Sequence, residues 1–260
     1  MRSAEKNAAL LPMEANGLLA TLPPVAMRLL IPHLERVPVP FRKVLVQEGQ
    51  LPRHVYFPLT GVMSMVVVMK DSDDVVEIAT IGNEGLVGAP IVLGTLAMNH
   101  RVFCQVGPGE ALRLESKIFA EALEQSAVIR LMCNRYIQAM MVMMGQGVAC
   151  NRVHPVEQRC ARWILMTADR APSNRFNLTQ EFLAQMLGVR RATVTVAAGM
   201  LQQAGIIRYR RGIIEVADRP QLEAACCECY GVIKSEFARL LSPAGGAAPT
   251  SRSAGVSASS

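Results

Sequence analysis

Between residues 41 and 116, apolar and β-branched positions come in short runs, at 43–47, 55–58, 62–69, 75–81, 101–106 and 111–114, separated by Gly, Pro and Asp. Runs of this length predict strands, and the gaps are too short for the crossover helices of a parallel sheet. An all-β sandwich or barrel is expected, with Asp71, Ser72, Asp73 and Asp74 forming one of its turns. The period then changes. Over 116–150 there is no proline, and Cys133, Ile137, Met140, Met144 and Val148 recur at helical spacing along one stripe. Such a stripe can pack on its own domain or on a second copy. The surplus of Met and Val beside it favours the second copy, so a dimerisation face is expected.

Residues 1–40 read as helical in pieces, broken by Pro23, Pro24, Pro32, Pro38 and Pro40. His154 and Pro155 end the long helix, and a new one opens over 156–168 with Arg159, Arg162 and Trp163. Helical stretches at 177–187 and 190–204 and a hairpin at 206–209 and 212–216 follow. The Ala, Gly, Ser and Pro of 242–260 predict a mobile tail. The expected organisation is α+β: a helical segment at 1–40, a β domain at 41–116, a dimerisation helix at 117–153, a helical domain with a hairpin at 154–241, and the tail.

Composition narrows the function. A chain of 260 residues with 51% hydrophobic and 18% charged side chains excludes disorder throughout. Its net charge of +6 is concentrated late, since residues 155–241 hold 12 basic against 8 acidic side chains. A polyanion such as nucleic acid is the natural partner for that segment. The apolar run at 136–150 is shorter than the roughly 20 residues a membrane span needs, and Gln138 and Gln146 interrupt it. Seven cysteines, an odd number, with no secretory leader fit a soluble cytoplasmic protein with reduced thiols. No Ser/His/Asp order, phosphate loop or zinc-protease helix stands out, so no catalytic residues are expected.

Residues 178–196 are the most informative. Thr179 is placed to cap a helix whose inner face is Phe182, Leu183, Met186 and Leu187, and Gly188 can take the left-handed conformation that ends it. A second helix then starts at once, with Arg190 and Arg191 in its first turn and Val194, Ala197, Ala198 and Leu201 as its buried side. This is the pattern of a helix-turn-helix whose second helix enters a major groove. Arg190, Arg191 and Thr193 are expected to read base edges, with Thr195 behind them and Thr179 in the same DNA-facing set. Arg208, Arg210 and Arg211 surround the hairpin turn, as in a wing that contacts phosphates. The alternative is a ligand-sensing module whose helix-turn-helix contacts another protein.

These residues resemble the CRP/FNR family of bacterial transcription regulators, over about residues 41–241. The winged helix-turn-helix corresponds to 178–216, including the Gly188 turn, Arg191-Ala192-Thr193-Val194, and Leu201 through Gly205-Ile206-Ile207. The stretches 41–50, 55–61 and 81–88 are similar to the family's cyclic-nucleotide-binding-type jelly roll. The resemblance implies a homodimer on double-stranded DNA at a palindromic site, with RNA polymerase as a partner; a small-molecule effector in the β domain and a pocket with no ligand stay equally open. Ala192 stands where many members carry a glutamate, so their half-site is not carried over. Glu84 and Arg101 match the effector-pocket roles. Val102 and Phe103 follow Arg101 in place of a hydroxyl residue, so an altered pocket without tight cyclic AMP binding is expected.

Members that sense oxygen use a cysteine cluster near the N-terminus, and here no cysteine precedes Cys104. His33, His54, His100 and His154 lie in no recognisable haem attachment motif. Cys226, Cys227 and Cys229 read as helix residues pointing to different sides, with no second cluster to supply further ligands. No metal and no cofactor are expected.

Overall fold

The computed structural model describes residues 11–242 apart from 73, 96 and 98. The tail expected beyond residue 242 lies outside the described residues. The chain opens with helices α1 (Gly17–Ala20) and α2 (Pro24–Leu30), then strands β1 (Glu35–Val39), β2 (Val44–Val46), β3 (His54–Val68) and β4 (Val75–Ile81). A short helix α3 (Ala89–Val92), strand β5 (Arg101–Glu115) and helices α4 (Ser116–Gln125), α5 (Ala127–Val153) and α6 (Val156–Ala168) follow. The C-terminal part holds β6 (Arg175–Asn177), α7 (Gln180–Leu187), α8 (Arg191–Gln203), β7 (Ile207–Arg210), β8 (Ile213–Val216), α9 (Arg219–Ala224) and α10 (Cys229–Leu240).

The β domain is one antiparallel sheet in the order β1-β5-β3-β4, with β2 also pairing on β5. Four of the expected strand runs merge into two long strands, β3 and β5. The glycines between them read as turns but act as irregularities: the β3–β5 register shifts between Pro58 and Thr60 and again around Val62. A Cβ on Gly61 would stand 2.8 Å from the Val106 carbonyl oxygen, so glycine lets the two strands close up there. β1 corrects the helical expectation for residues 35–39. It pairs with β5 alone, and an edge strand tolerates Pro38, which reads as a helix break in sequence.

The expected single helix after the sheet is two. Ser126 adopts extended backbone between α4 and α5, and its hydroxyl accepts from the Ile129 amide at 3.3 Å, capping α5. A second sheet, β6-β8-β7, lies beside α7 and α8. One apolar core joins the β domain, α5, α6 and the helix-turn-helix. No helix among the described residues is long and apolar enough to cross a membrane.

That core changes the reading of the α5 stripe. Cys133 and Met140 are buried within it and Ile137 and Met144 half-buried, so these four face the chain's own domain. Val148 alone of the five is open, at 73% exposure; it stands two turns from exposed Met141 on one stripe, at the mouth of a cavity that Met143 and Met144 also line. The periodicity was real, but it marked the inward face.

Candidate nucleic-acid interface

The helix-turn-helix forms for local reasons. Thr179 accepts from the Phe182 amide at 3.1 Å and starts α7, whose Leu183, Met186 and Leu187 are buried. Gly188, at φ 62°, ends it in the left-handed region that glycine enters without steric cost. Arg190 then takes extended backbone as the N-cap position of α8, and Val194, Ala197, Ala198 and Leu201 bury the inner face of that helix. Arg159 of α6 donates to the Leu187 carbonyl at 2.5 Å, clamping the end of α7 from behind.

All eight residues assigned to DNA in sequence are exposed. Arg190 and Arg191 stand at the start of α8 with no acidic residue in its first turn. Cations there oppose the helix dipole, which favours anions, so this end gains when phosphate or a base acceptor arrives. Arg191 is 4.0 Å from Glu181, a loose surface pair. Thr193 is exposed at the same edge. Thr195 is not: its hydroxyl lies 2.9 Å from Gln180 Oε1 and 3.1 Å from the Arg191 carbonyl, so it braces α8 against α7. Gln180, which sequence reasoning passed over, thereby lines a cleft of about 350 Å³ with Thr179, Arg191, Tyr209 and Arg211.

The wing is a tight hairpin. Arg210 pairs with Ile213, leaving a two-residue turn in which Arg211 (φ 51°) and Gly212 (φ 74°) both have positive φ, the signature of a type I′ turn. Arg208 is directed across the strands to Glu215 at 2.8 Å, so its charge is partly spent. Arg210 and Arg211 make no ion pair among the described residues and carry the charge of the tip. Tyr209, also missed in sequence, donates to the Leu178 carbonyl at 2.8 Å and fixes the wing to the start of α7.

Glu84 and Arg101 do not converge as an effector pocket. Glu84 is engaged by Arg170, in the turn after α6, at 2.8 Å and lines a cleft with Asp169, Tyr230 and Lys234. Arg101 lies opposite Val66 on β3, its Nε buried without a hydrogen-bond partner among the described residues. Near Glu84, Tyr136 of α5 donates to the Leu86 carbonyl at 3.2 Å and packs on Gly85, where a Cβ would stand 2.0 Å from the ring. A different cavity, of about 370 Å³, opens where β4, α5, α6 and α7 meet. Glu77, Thr80, His100, Arg162 and Trp163 supply its polar lining, and Met143, Met144 and Met186 belong to the apolar part. Thr80 Oγ1 and Arg162 Nε are buried there without hydrogen-bond partners among the described residues.

One further expectation fails. Cys226, Cys227 and Glu228 lie in the turn between α9 and α10, not within a helix, and only Cys229 begins one. A second cluster does exist: Cys150 and His154, at the end of α5, lie with Cys227 and Cys229 so that one potential ligand atom of each is within 4.8 Å of the others. Proximity across the fold, invisible in linear spacing, brings them together.

Residues 158–225 match the Crp-like helix-turn-helix domain family. Three solved structures share the fold. A CRP/FNR-family regulator from Eubacterium rectale ATCC 33656 aligns over 82% of this chain and 98% of its own, at 14% identity and a TM-score of 0.63. FixK2 from Bradyrhizobium japonicum aligns over 75% and 98%, at 13% and 0.63. The c-di-GMP-responsive regulator CLP of Xanthomonas campestris aligns over 74% and 98%, at 15% and 0.58. No curated protein matches in sequence. Residues 158–225 are thus similar to a Crp-like helix-turn-helix domain, as the resemblance read along the sequence implies, and the chain shares its fold with these solved structures.

Proposed function

We propose that the protein is a homodimeric, sequence-specific DNA-binding transcription regulator that reads a palindromic site through α8. One observation carries this: Arg190 and Arg191 project from the exposed start of α8 beside a wing tip bearing Arg210 and Arg211. Arginine pairs donate to guanine O6 and N7, and the wing charges suit phosphates. The dimer surface in this reading is the exposed stripe of α5 with Met141 and Val148. Two copies then present their α8 helices to half-sites about one DNA turn apart. RNA polymerase is the partner through which a bound dimer alters transcription.

No cyclic nucleotide is assigned. Tyr136 fills the space over Gly85, and Glu84 is already paired with Arg170. Effector sensing belongs instead to the cavity between β4 and α7, which touches both the sheet and the helix-turn-helix. Its occupant needs acceptor atoms for Arg162 and an apolar body for the methionines.

The test is selection of genomic DNA fragments by purified protein at moderate salt, with and without a small-molecule extract of cells, followed by sequencing. A two-fold symmetric motif supports the proposal, and its dependence on the extract supports the cavity. Failure to select any fragment overturns it in favour of a helix-turn-helix that contacts protein.

A further inference from the structure

We infer that Cys150, His154, Cys227 and Cys229 form a mononuclear zinc-type metal site that ties the end of α5 to the start of α10. Their ligand atoms all lie within 4.8 Å of one another. Cys150 Sγ is 3.5 Å from Cys227 Sγ, and Cys229 Sγ is 3.5 Å from His154 Nδ1. In a tetrahedral site with metal–sulfur bonds of about 2.3 Å, neighbouring sulfurs are about 3.8 Å apart. The observed spacing fits one ion, with small adjustments of side-chain torsions. An iron–sulfur cluster, whose four ligands are shared among two or more irons, needs its ligand atoms spread more widely.

Local structure supplies each ligand. Cys150 lies in the last turn of α5, and His154, the C-cap with extended backbone, donates its amide to the Cys150 carbonyl at 3.0 Å, which holds the two residues together. Cys227 lies in the turn before α10 and Cys229 is its first residue. The three cysteines are buried, yet they pack on one another as a cluster apart from the main apolar core. A buried cysteine usually serves as a small apolar filler against a core; three thiols gathered round a histidine do not fill that role. Surrounding groups complete the picture. Gln146 Nε2 is 3.3 Å from Cys229 Sγ, as a donor to a ligating sulfur would be. The other ring nitrogen of His154 is 4.0 Å from Glu228 Oε1, the place of an outer carboxylate behind a metal-bound histidine.

Four protein ligands leave no open position, so the site is structural and not catalytic. Binding of a divalent ion displaces the three thiol protons to solvent and leaves three thiolates and one neutral imidazole on the metal. His154 is also the last cap of α5, immediately before Pro155 and α6. The metal therefore fixes the joint between the long helix and the DNA-binding half, and pins α10 against it. This inference is independent of the DNA-binding proposal.

The full-length protein, purified under reducing conditions, is expected to hold one zinc per chain by elemental analysis. Replacement with Co²⁺ should give the sulfur-to-cobalt charge-transfer and intense d–d absorption of tetrahedral thiolate coordination. His154→Gln, and Cys227→Ser combined with Cys229→Ser, should each weaken metal binding by more than about tenfold. Cys226→Ser, outside the ligand set, should keep it. If the double variant loses its circular dichroism, the wild-type cobalt spectrum and competition with a chelator decide. The inference is overturned by reduced protein without stoichiometric zinc and without tetrahedral cobalt bands, or by variants that hold zinc as the wild type does. A chain mass lower by two hydrogens, mapped to a Cys150–Cys227 disulfide in the native protein, also overturns it.

Discussion

The indole Nε1 of Trp163 donates to Glu77 Oε1 at 2.7 Å, joining α6 to β4, and the other carboxylate oxygen accepts from Ser64 at 2.6 Å. Burial nevertheless dominates this carboxyl and raises its pKa from 4.5 to about 7, against the opposing pull of the two hydrogen bonds and of Arg162 and Arg170. The folded protein thus keeps a proton that the unfolded chain releases near 4.5. Since the folded state binds more protons between pH 4.5 and 7, stability falls as pH rises through that window, and the full penalty is present above it. Glu77→Gln keeps an acceptor for Trp163 and cannot ionise. It should raise the melting temperature above pH 7 and flatten its decline between pH 5 and 8. Trp163 is the chain's one tryptophan, so its fluorescence should titrate with a midpoint near 7 in the wild type and not in the variant. Identical pH profiles for the two proteins would remove the assignment.

The two arginine sets differ in kind. In the proposed complex Arg191 faces base edges, so Arg191→Ala should weaken binding to a selected site by about 1–3 kcal/mol while leaving random DNA much less affected. Arg210 is at the wing, so Arg210→Ala should weaken both alike and lower the salt slope by about one unit. Fluorescence anisotropy over a salt series separates the patterns. Equal losses for Arg191→Ala on both DNAs would deny it a part in base reading.

Arg211 occupies a left-handed conformation that glycine, asparagine and aspartate adopt more readily. Strain at a charged tip signals that the charge is wanted there. Arg211→Asn, which suits the type I′ turn, should therefore raise stability, by up to about 1 kcal/mol, while reducing affinity for any DNA. Thermal melting and non-specific DNA binding should move in opposite directions. A destabilised variant would mean that the arginine side chain, and not its backbone, holds the hairpin.

Local chemistry was legible in the sequence wherever one segment determines its own conformation. The cap at Thr179, the stop at Gly188 and the strand Val75–Ile81 all fall where pattern and propensity put them. Features set by distant partners were not. Gly61 reads as a turn until Val106 approaches it across the sheet, and Pro38 reads as a break until β1 proves to be an edge. Cys227 and Cys229 gain their companions 75 and more residues away. Glu84 matches a family position, yet Arg170, in the turn after α6, claims it.

The α5 stripe illustrates the same limit and yields a prediction. A helix of 27 residues has an apolar pattern on more than one side, and periodicity does not say which side the sheet covers. Cys133 and Met140, at 2% and 5% exposure, are spoken for by the core, whereas Met141 at 64% and Val148 at 73% lie seven residues apart on the outer side. Water-facing side chains of this size on one helix stripe are suited to a second copy of the same helix. Met141→Glu with Val148→Glu should therefore convert the proposed dimer to monomer with little change in circular dichroism, since both charges replace exposed groups. Met140→Ala should do the reverse, costing about 2–5 kcal/mol of stability through the cavity it leaves, with the dimer retained. Sedimentation velocity with thermal melting distinguishes the outcomes. A double glutamate variant that stays dimeric would move the interface off α5.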